Sequence, residues 1–554
     1  MTLPYQPAAR LADTLLRDNV VPRLWDRDPS VWNASPESPD ARSIATRLGW
    51  LDVGTTMPPH LDQVEGLARS AREGGIQTVY LLGMGGSSLC AEVLRSVYGV
   101  AEGAAGLHVL DTTDERTITS AAARMVPERT LIVVASKSGG TVEVASLERY
   151  FWHRMSETLG MEAGGQFIAV TDPDTPLQQL AQGRDYRAIF LNPPDIGGRF
   201  SALSLFGLVP AALLGAAVRD LLSAGAAMAD GCRQENHANA GLELGAFIGA
   251  ATFAGRDKLT VVLPPSLATL GLWIEQLVAE STGKHGKGAL PVVDEPLGRP
   301  DEYGQDRAFV AIATDRDGPD KHKLAELEAA GHPVLRLSTR LDGIGAEFFR
   351  WEFATAIAGA ALGINPFDEP NVAEAKDKTK SLLAAYARDG RLPETPPAAR
   401  AVDVEAHASA FPAGTAADVV RAAIHSLRPG DYVAFLSYLP AASGVERAIA
   451  EARRAIRSRT GAATTFGVGP RYLHSTGQYH KGGPNTALAF VLTGDDESET
   501  PIPEAGYSFA VLKQAQALGD YQTLAAHGRR VVRLHIRGGD PASAIEQVFA
   551  EALR

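Results

Sequence analysis

Six short stretches of this chain gather residues able to hold an anion or move a proton. The first reads Gly83-Met84-Gly85-Gly86-Ser87-Ser88 and the second Ser136-Lys137-Ser138-Gly139-Gly140-Thr141. Hydroxyls, the Lys137 ammonium and the amides of a glycine loop suit a phosphate ester, above all ahead of a helix whose amino end is partly positive. The third, Asp195-Ile196-Gly197-Gly198-Arg199-Phe200-Ser201, sets one arginine among glycines. Its fork could grip an oxyanion or an enediolate; the plainer reading pairs it with a carboxylate such as Asp195. The fourth places Glu280 near the end of an apolar segment, 267–284. A carboxylate at the negative end of a helix, once desolvated, rises toward the range of a general base. Glu275, on the same segment, reads as a surface glutamate. The fifth, 472–485, packs His474, Gln478, His480 and Lys481 among glycines. Without a third ligand nearby, acid–base work ranks above metal binding, and a polar surface loop is the bland alternative. The sixth, 367–376, opens a helix with Asp368 as its cap, and Lys376 reads as a surface residue.

These residues need elements to hold them. Apolar runs at 79–82, 107–110, 131–135, 167–171 and 188–191 are short and bounded by turn residues, with helical periodicity between them. They predict a five-stranded, mostly parallel sheet covered on both faces, with the first two loops at strand carboxyl ends, where such sheets bind ligands. A second α/β unit is expected from strands at 259–263, 309–313 and 334–337. A third has strands at 432–436, 464–467, 488–492 and 531–536. The expected division is a helical segment over 1–60, α/β units over 61–225 and 226–392, and a C-terminal α/β unit over 393–554. Prolines at 393, 396 and 397 open a linker that reads as structureless to about residue 415.

Two alternatives and several exclusions follow from the same reading. Gly83-Met84-Gly85-Gly86 imitates a dinucleotide fingerprint, and Asp111 could meet a ribose. A net charge of −12 argues against nucleic acid or an anionic membrane as partner, while a small anion needs only local donors. Two cysteines, Cys90 and Cys232, are too few for a disulfide framework and read as buried thiols. No secretory core opens the chain, and the uncharged run 200–218 contains Pro210 and reads as a core helix, so a cytoplasmic location is expected.

The ordered series Gly-Gly-Ser (85–87), Ser-Lys-Ser-Gly-Gly-Thr (136–141), Gly-Gly-Arg-Phe-Ser (197–201), Glu-Ser-Thr-Gly-Lys (280–284) and Phe-Asp-Glu-Pro-Asn-Val…Lys (367–376) resembles the glucose-6-phosphate isomerase family. The stretch 473–485 is similar to the end of the isomerase half of transaldolase–isomerase fusions. The fold implied is α/β: two doubly wound parallel-sheet sugar-isomerase units, here followed by the third α/β unit. By that resemblance, Gly86, Ser87, Ser136, Lys137, Ser138 and Thr141 hold the sugar phosphate, and Gly198 and Gln478 touch the substrate. Glu280 shuttles the proton through a cis-enediol, Arg199 stabilises the enediolate, and Lys376 lies near the ring oxygen beside a ring-opening histidine. Neither metal nor cofactor is implied. The resemblance allows a homodimer and a functional link to transaldolase.

Three departures stand out. Glu369 takes the place of a usual Gln, and Ala373 that of a usual Glu. The family's ring-opening histidine precedes the lysine motif in a Gly-Gln-His setting, which His285, His322 and His332 lack. The nearest likeness is Gly477-Gln478-Tyr479-His480, so His480 or His474 of the third unit is expected to open the ring. The function expected is reversible isomerisation of glucose 6-phosphate and fructose 6-phosphate. Alternatives are an isomerase that also takes mannose 6-phosphate and a non-catalytic phosphosugar sensor; the dinucleotide enzyme falls behind, since it has no use for the loop 136–141.

Overall fold

The computed structural model describes residues 5–35, 37–393, 395–400, 403–408, 410–411, 414–440 and 442–554. Three sheets organise them. The first holds β1 (Thr78–Leu82), β2 (Gly106–Leu110), β3 (Thr130–Ala135), β4 (Phe167–Thr171) and β5 (Ala188–Leu191), all parallel, in the order β2-β1-β3-β4-β5. The order reverses at β1, which lies between β2 and β3. The loops leaving β1 and β3, 83–88 and 136–141, therefore lie side by side at the switch point.

The second sheet is β7-β6-β8-β9, built from β6 (Lys258–Val262), β7 (Leu290–Val292), β8 (Arg307–Ala313) and β9 (Val334–Ser338). β7 has only three residues, one of them Pro291, too short to show a periodicity. The third sheet joins β10 (Ala399–Arg400), β11 (Val404–His407), β12 (Tyr432–Ser437), β13 (Ala463–Val468), β14 (Ala487–Gly494) and β15 (Arg530–Ile536) in the order β10-β11-β15-β14-β12-β13. β10 and β11 correct the expected structureless linker: β11 runs antiparallel along β15 and extends the sheet edge. Short alternating strands in an alanine- and proline-rich context gave no local signal; part of that stretch lies outside the described residues.

The N-terminal helices do not stand apart. Trp50 stacks on Phe200 at 5.2 Å, Trp32 meets Phe367 edge-on at 5.0 Å, and Phe200 packs on Phe367 at 5.2 Å. Each ring removes about 150–250 Å² from water, on the order of 4–6 kcal/mol at about 25 cal/mol/Å². The segment expected only as a helical stretch over 1–60 thus braces the two turns that carry Arg199 and Glu369. Cys90 and Cys232 are buried thiols, each pushed up to about 12 by desolvation. Among the described residues, no helix is long and apolar enough to cross a membrane.

Candidate active site

The loop after β3 turns through Gly139 at φ +64°, where an added Cβ would come within 2.8 Å of Thr175 and of the Leu177 amide. It then enters the 18-residue helix Val142–Leu159. Ser136 Oγ donates to Thr141 Oγ1 at 3.3 Å. Ser138 and Thr141 line a pocket with Glu143, His474, Lys376 and Lys380. Lys376 is exposed along its helix, Pro370–Asp389, yet it faces this loop rather than open surface alone. Lys137 departs from expectation. Its ammonium is paired with Asp172 and donates to the Pro194 carbonyl at 2.9 Å, so its charge is engaged on the protein.

The loop after β1 is a junction as much as a cradle. Gly85 sits at φ +53°, and a Cβ there would come within 2.7 Å of Gln276 Nε2 and 2.9 Å of the His474 carbonyl. Gly86 abuts the Gly198 carbonyl too closely for any side chain. Ser87 follows, buried, in the same turn. The two glycines let three chain segments meet: the 197–201 turn, the helix Leu270–Thr282 and the third unit.

Arg199 is 4% exposed and held on every side. Its Nε donates to Ser281 Oγ at 2.8 Å, and its Nη2 to the carbonyls of Pro366 and Asp368 at 2.7 and 2.8 Å. Its Nη1 reaches Glu369 Oε2 at 3.1 Å and lies 3.4 Å from Glu280 Oε1. The plainer pairing with Asp195 fails: that carboxylate lies instead beside Arg27 at 3.7 Å. Lys284 locks the same turn from behind, donating to Asn365 O at 2.8 Å, Asp368 O at 2.6 Å and Asp368 Oδ1 at 2.5 Å. Desolvation lowers its ammonium to about 8, although Asp368 opposes the fall.

Glu280 lies in the last turn of the helix Leu270–Thr282, buried, with Oε2 accepting from Gln276 Nε2 at 3.1 Å. Burial pushes its carboxyl above the ordinary range; Arg199 pulls it back and Glu369 pushes it further. Gln276 Nε2 also donates to the His474 carbonyl at 2.8 Å. His474 Nε2 in turn meets Glu143 Oε1 at 2.9 Å, at the start of the helix that follows the serine loop. Short contacts therefore run unbroken from the serine loop through His474 and Gln276 to Glu280 and Arg199. Among the described residues no group of three or more His, Cys, Asp or Glu could hold a metal ion.

The phosphoglucose isomerase family model matches residues 60–297, which include Ser87, Ser136, Arg199 and Glu280. The glucose-6-phosphate isomerase of Rubrobacter xylanophilus is 29% identical over 389 residues, covering 60% of this chain and 87% of that protein. That of Acaryochloris marina is 31% identical over 374 residues, covering 58% of this chain and 70% of the relative. The chain belongs to the glucose-6-phosphate isomerase family. The fold agrees: a crystal structure of a glucose-6-phosphate isomerase from Chlamydia trachomatis superposes with a TM-score of 0.54 at 18% identity, covering 69% of this chain and 86% of that one. A hypothetical protein of Thermus thermophilus does so at 0.58 and 24%, covering 68% and 97%.

Against this glucose-6-phosphate isomerase frame, four residues change their standing. His480 is enclosed in the third unit, its Nδ1 2.7 Å from Tyr432 Oη and its ring stacked on that tyrosine. Burial, with Lys481 and Arg529 close by, lowers it to about 3, which suits a core residue rather than a proton carrier at the sugar. Gln478 spends its amide on the protein: Nε2 donates to Gly283 O and Asn371 Oδ1, both at 2.9 Å, and Oε1 accepts from the Asn371 amide at 2.9 Å. It fastens the helix of Glu280 to that of Lys376. Asp111 receives both arms of Arg471, at 2.6 and 2.8 Å, so the carboxylate that could have met a ribose clamps the third unit to β2. Glu275 is not on the surface. It lines a cavity of about 240 Å³ with Arg453, Arg471 and Tyr472 of the third unit, and desolvation raises it to about 8 against the pull of both arginines.

Sequence reasoning missed Glu143, Gln276, Lys380 and Arg47. Glu143 lies two residues beyond Thr141, where a helix-start acid is common enough to pass unnoticed. Arg47, from the N-terminal segment, donates to the Phe367 carbonyl at 3.2 Å and stands 3.7 Å from Glu369. No spacing rule connects residues so far apart in the chain.

Proposed function

We propose that Glu280 carries the proton between C2 and C1 in the reaction of this chain, the reversible interconversion of glucose 6-phosphate and fructose 6-phosphate. The observation that supports this most is the 3.4 Å approach of the buried Glu280 carboxyl to Arg199, one residue removed through Gln276 from the His474 that borders the serine loop. The phosphate sits against the loop 136–141, received by hydroxyls, amides and the amino end of the helix Val142–Leu159, with Lys376 supplying the charge that Lys137 has given to Asp172.

His474 opens the ring. Burial alone would raise the Glu143 carboxyl, but His474 and the hydrogen bond from it draw that carboxyl below its ordinary range. Glu143 also accepts from Gln516 Nε2 at 2.7 Å. An ionised Glu143 keeps the proton on His474 Nε2 and leaves Nδ1 for exchange with the sugar. The ring oxygen gains a proton as the C1 hydroxyl loses one, and the C1 aldehyde is freed. Glu280 then takes the C2 hydrogen as a proton, Arg199 meets the charge that gathers on the enediolate, the hydroxyl proton passes from O2 to O1, and Glu280 returns its proton to C1 to give the ketose. Every group, the histidine included, comes from one chain. A coupled assay with fructose 6-phosphate as sole substrate and no added metal or nucleotide tests the reading: glucose 6-phosphate should accumulate, and its absence would sink it.

A further inference from the structure

Two carboxylates converge on one arm of one guanidinium. Nε and Nη2 of Arg199 are committed to Ser281, Pro366 and Asp368, so Nη1 is the arm that points between Glu280 and Glu369, at 3.4 and 3.1 Å. We infer that Glu369 is a positioning residue that sets the basicity of Glu280 by holding back part of the Arg199 charge. The inference rests on the isomerase reading above.

The physical reason lies in how one cation is shared. A guanidinium flanked by two anions lowers the energy of each less than it would for one alone, and the anions also repel each other. The groups that face Glu280 are Arg199 from the 198–200 turn, Gln276 on its own helix, His474 from the third unit and Glu369 from the turn ahead of the helix Pro370–Asp389. Behind Glu369 stand Arg47 at 3.7 Å and the buried Lys284. Burial raises the Glu369 carboxyl, but Arg199, then Arg47 and Lys284, outweigh it and hold it below the ordinary range. The two carboxyls are thus shifted in opposite directions, Glu369 being the more acidic, so it is Glu369 that stands as the resident anion beside Glu280. The base is made stronger, and the enediolate must share Nη1 with a resident anion.

Glu369→Gln keeps the size and an acceptor for Nη1 but removes the charge. In that variant the acid limb of the kcat/KM–pH profile should move to lower pH, with activity on the acid side rising about tenfold for each unit moved. An aldonic acid 5-phosphate, whose planar carboxylate stands in for the enediolate, should bind more tightly, and by a larger factor than fructose 6-phosphate does. Glu369→Asp, which retains the charge, should leave the limb in place. An unmoved limb in Glu369→Gln, or a loss of kcat equal at every pH, overturns the inference. A wild-type chain that does not interconvert the two sugar phosphates fails the isomerase reading itself, whereas an active wild type with an unshifted variant fails only this step.

Discussion

Glu280 and Glu275 lie five residues apart on one helix, both are buried, and burial raises both carboxyls. They differ in what surrounds them. Glu280 faces a guanidinium arm shared with a second carboxylate, and the amide of Gln276. Glu275 faces the third unit, where Arg453 spends its donors on Thr464 and the carbonyl of Val293 while Arg471 is committed to Asp111. A raised pKa alone does not single out Glu280 as the proposed base; its contact with the Arg199 arm does. The same sorting applies to His474 and His480, and to Lys376 and Lys137.

The largest effect should come from Glu280→Gln, with kcat lower by about 10²–10⁴ while sugar phosphate still binds. Glu275→Gln should leave kcat within about threefold of wild type; equal losses in the two variants would break the comparison. His474→Ala should slow turnover of the cyclic sugar by about 10² relative to an open-chain analogue. His480→Ala should leave that ratio alone and lower stability by about 1–3 kcal/mol, read from denaturant unfolding. Glu275 sharpens the contrast through pH. Its folded carboxyl binds a proton more tightly than the unfolded one, so its contribution to stability is complete below the ordinary 4.5 and is lost as pH rises to about 8. Glu275→Gln should therefore raise Tm at pH 9 more than at pH 5, and an equal gain at both would contradict a titrating role. The smallest effect is expected at Lys137→Met, which should raise KM for the sugar phosphate less than Lys376→Met does, because Asp172 already neutralises Lys137.

Much of the fold was legible because parallel strands buried on both faces are apolar along most of their length, as over 131–135 of β3. β7 and the pair β10–β11 were not, since runs of two to four residues leave no period to read. Within the site, Arg199 and Glu280 could be read from local setting: one charge among glycines, one acid closing an apolar helix. The choice between His474 and His480 could not, because both sit in one glycine-rich loop and only the packing of that loop against Gly85 and Glu143 separates them. Glu275 was misread as exposed because its burial comes from a unit nearly two hundred residues later, which no helical period reports. The Ala373 side chain lies outside the described residues.

Arg471 gripping Asp111 with two hydrogen bonds, with His474 three residues further on, joins the third unit to the first within a single polypeptide. A histidine delivered by a separate molecule would leave the crevice as the protein is diluted; one tethered in this way has a local concentration fixed by the chain. In the ring-opening role proposed for His474, its contribution to turnover should not fall as the protein is diluted, which an assay over a wide range of enzyme concentration checks.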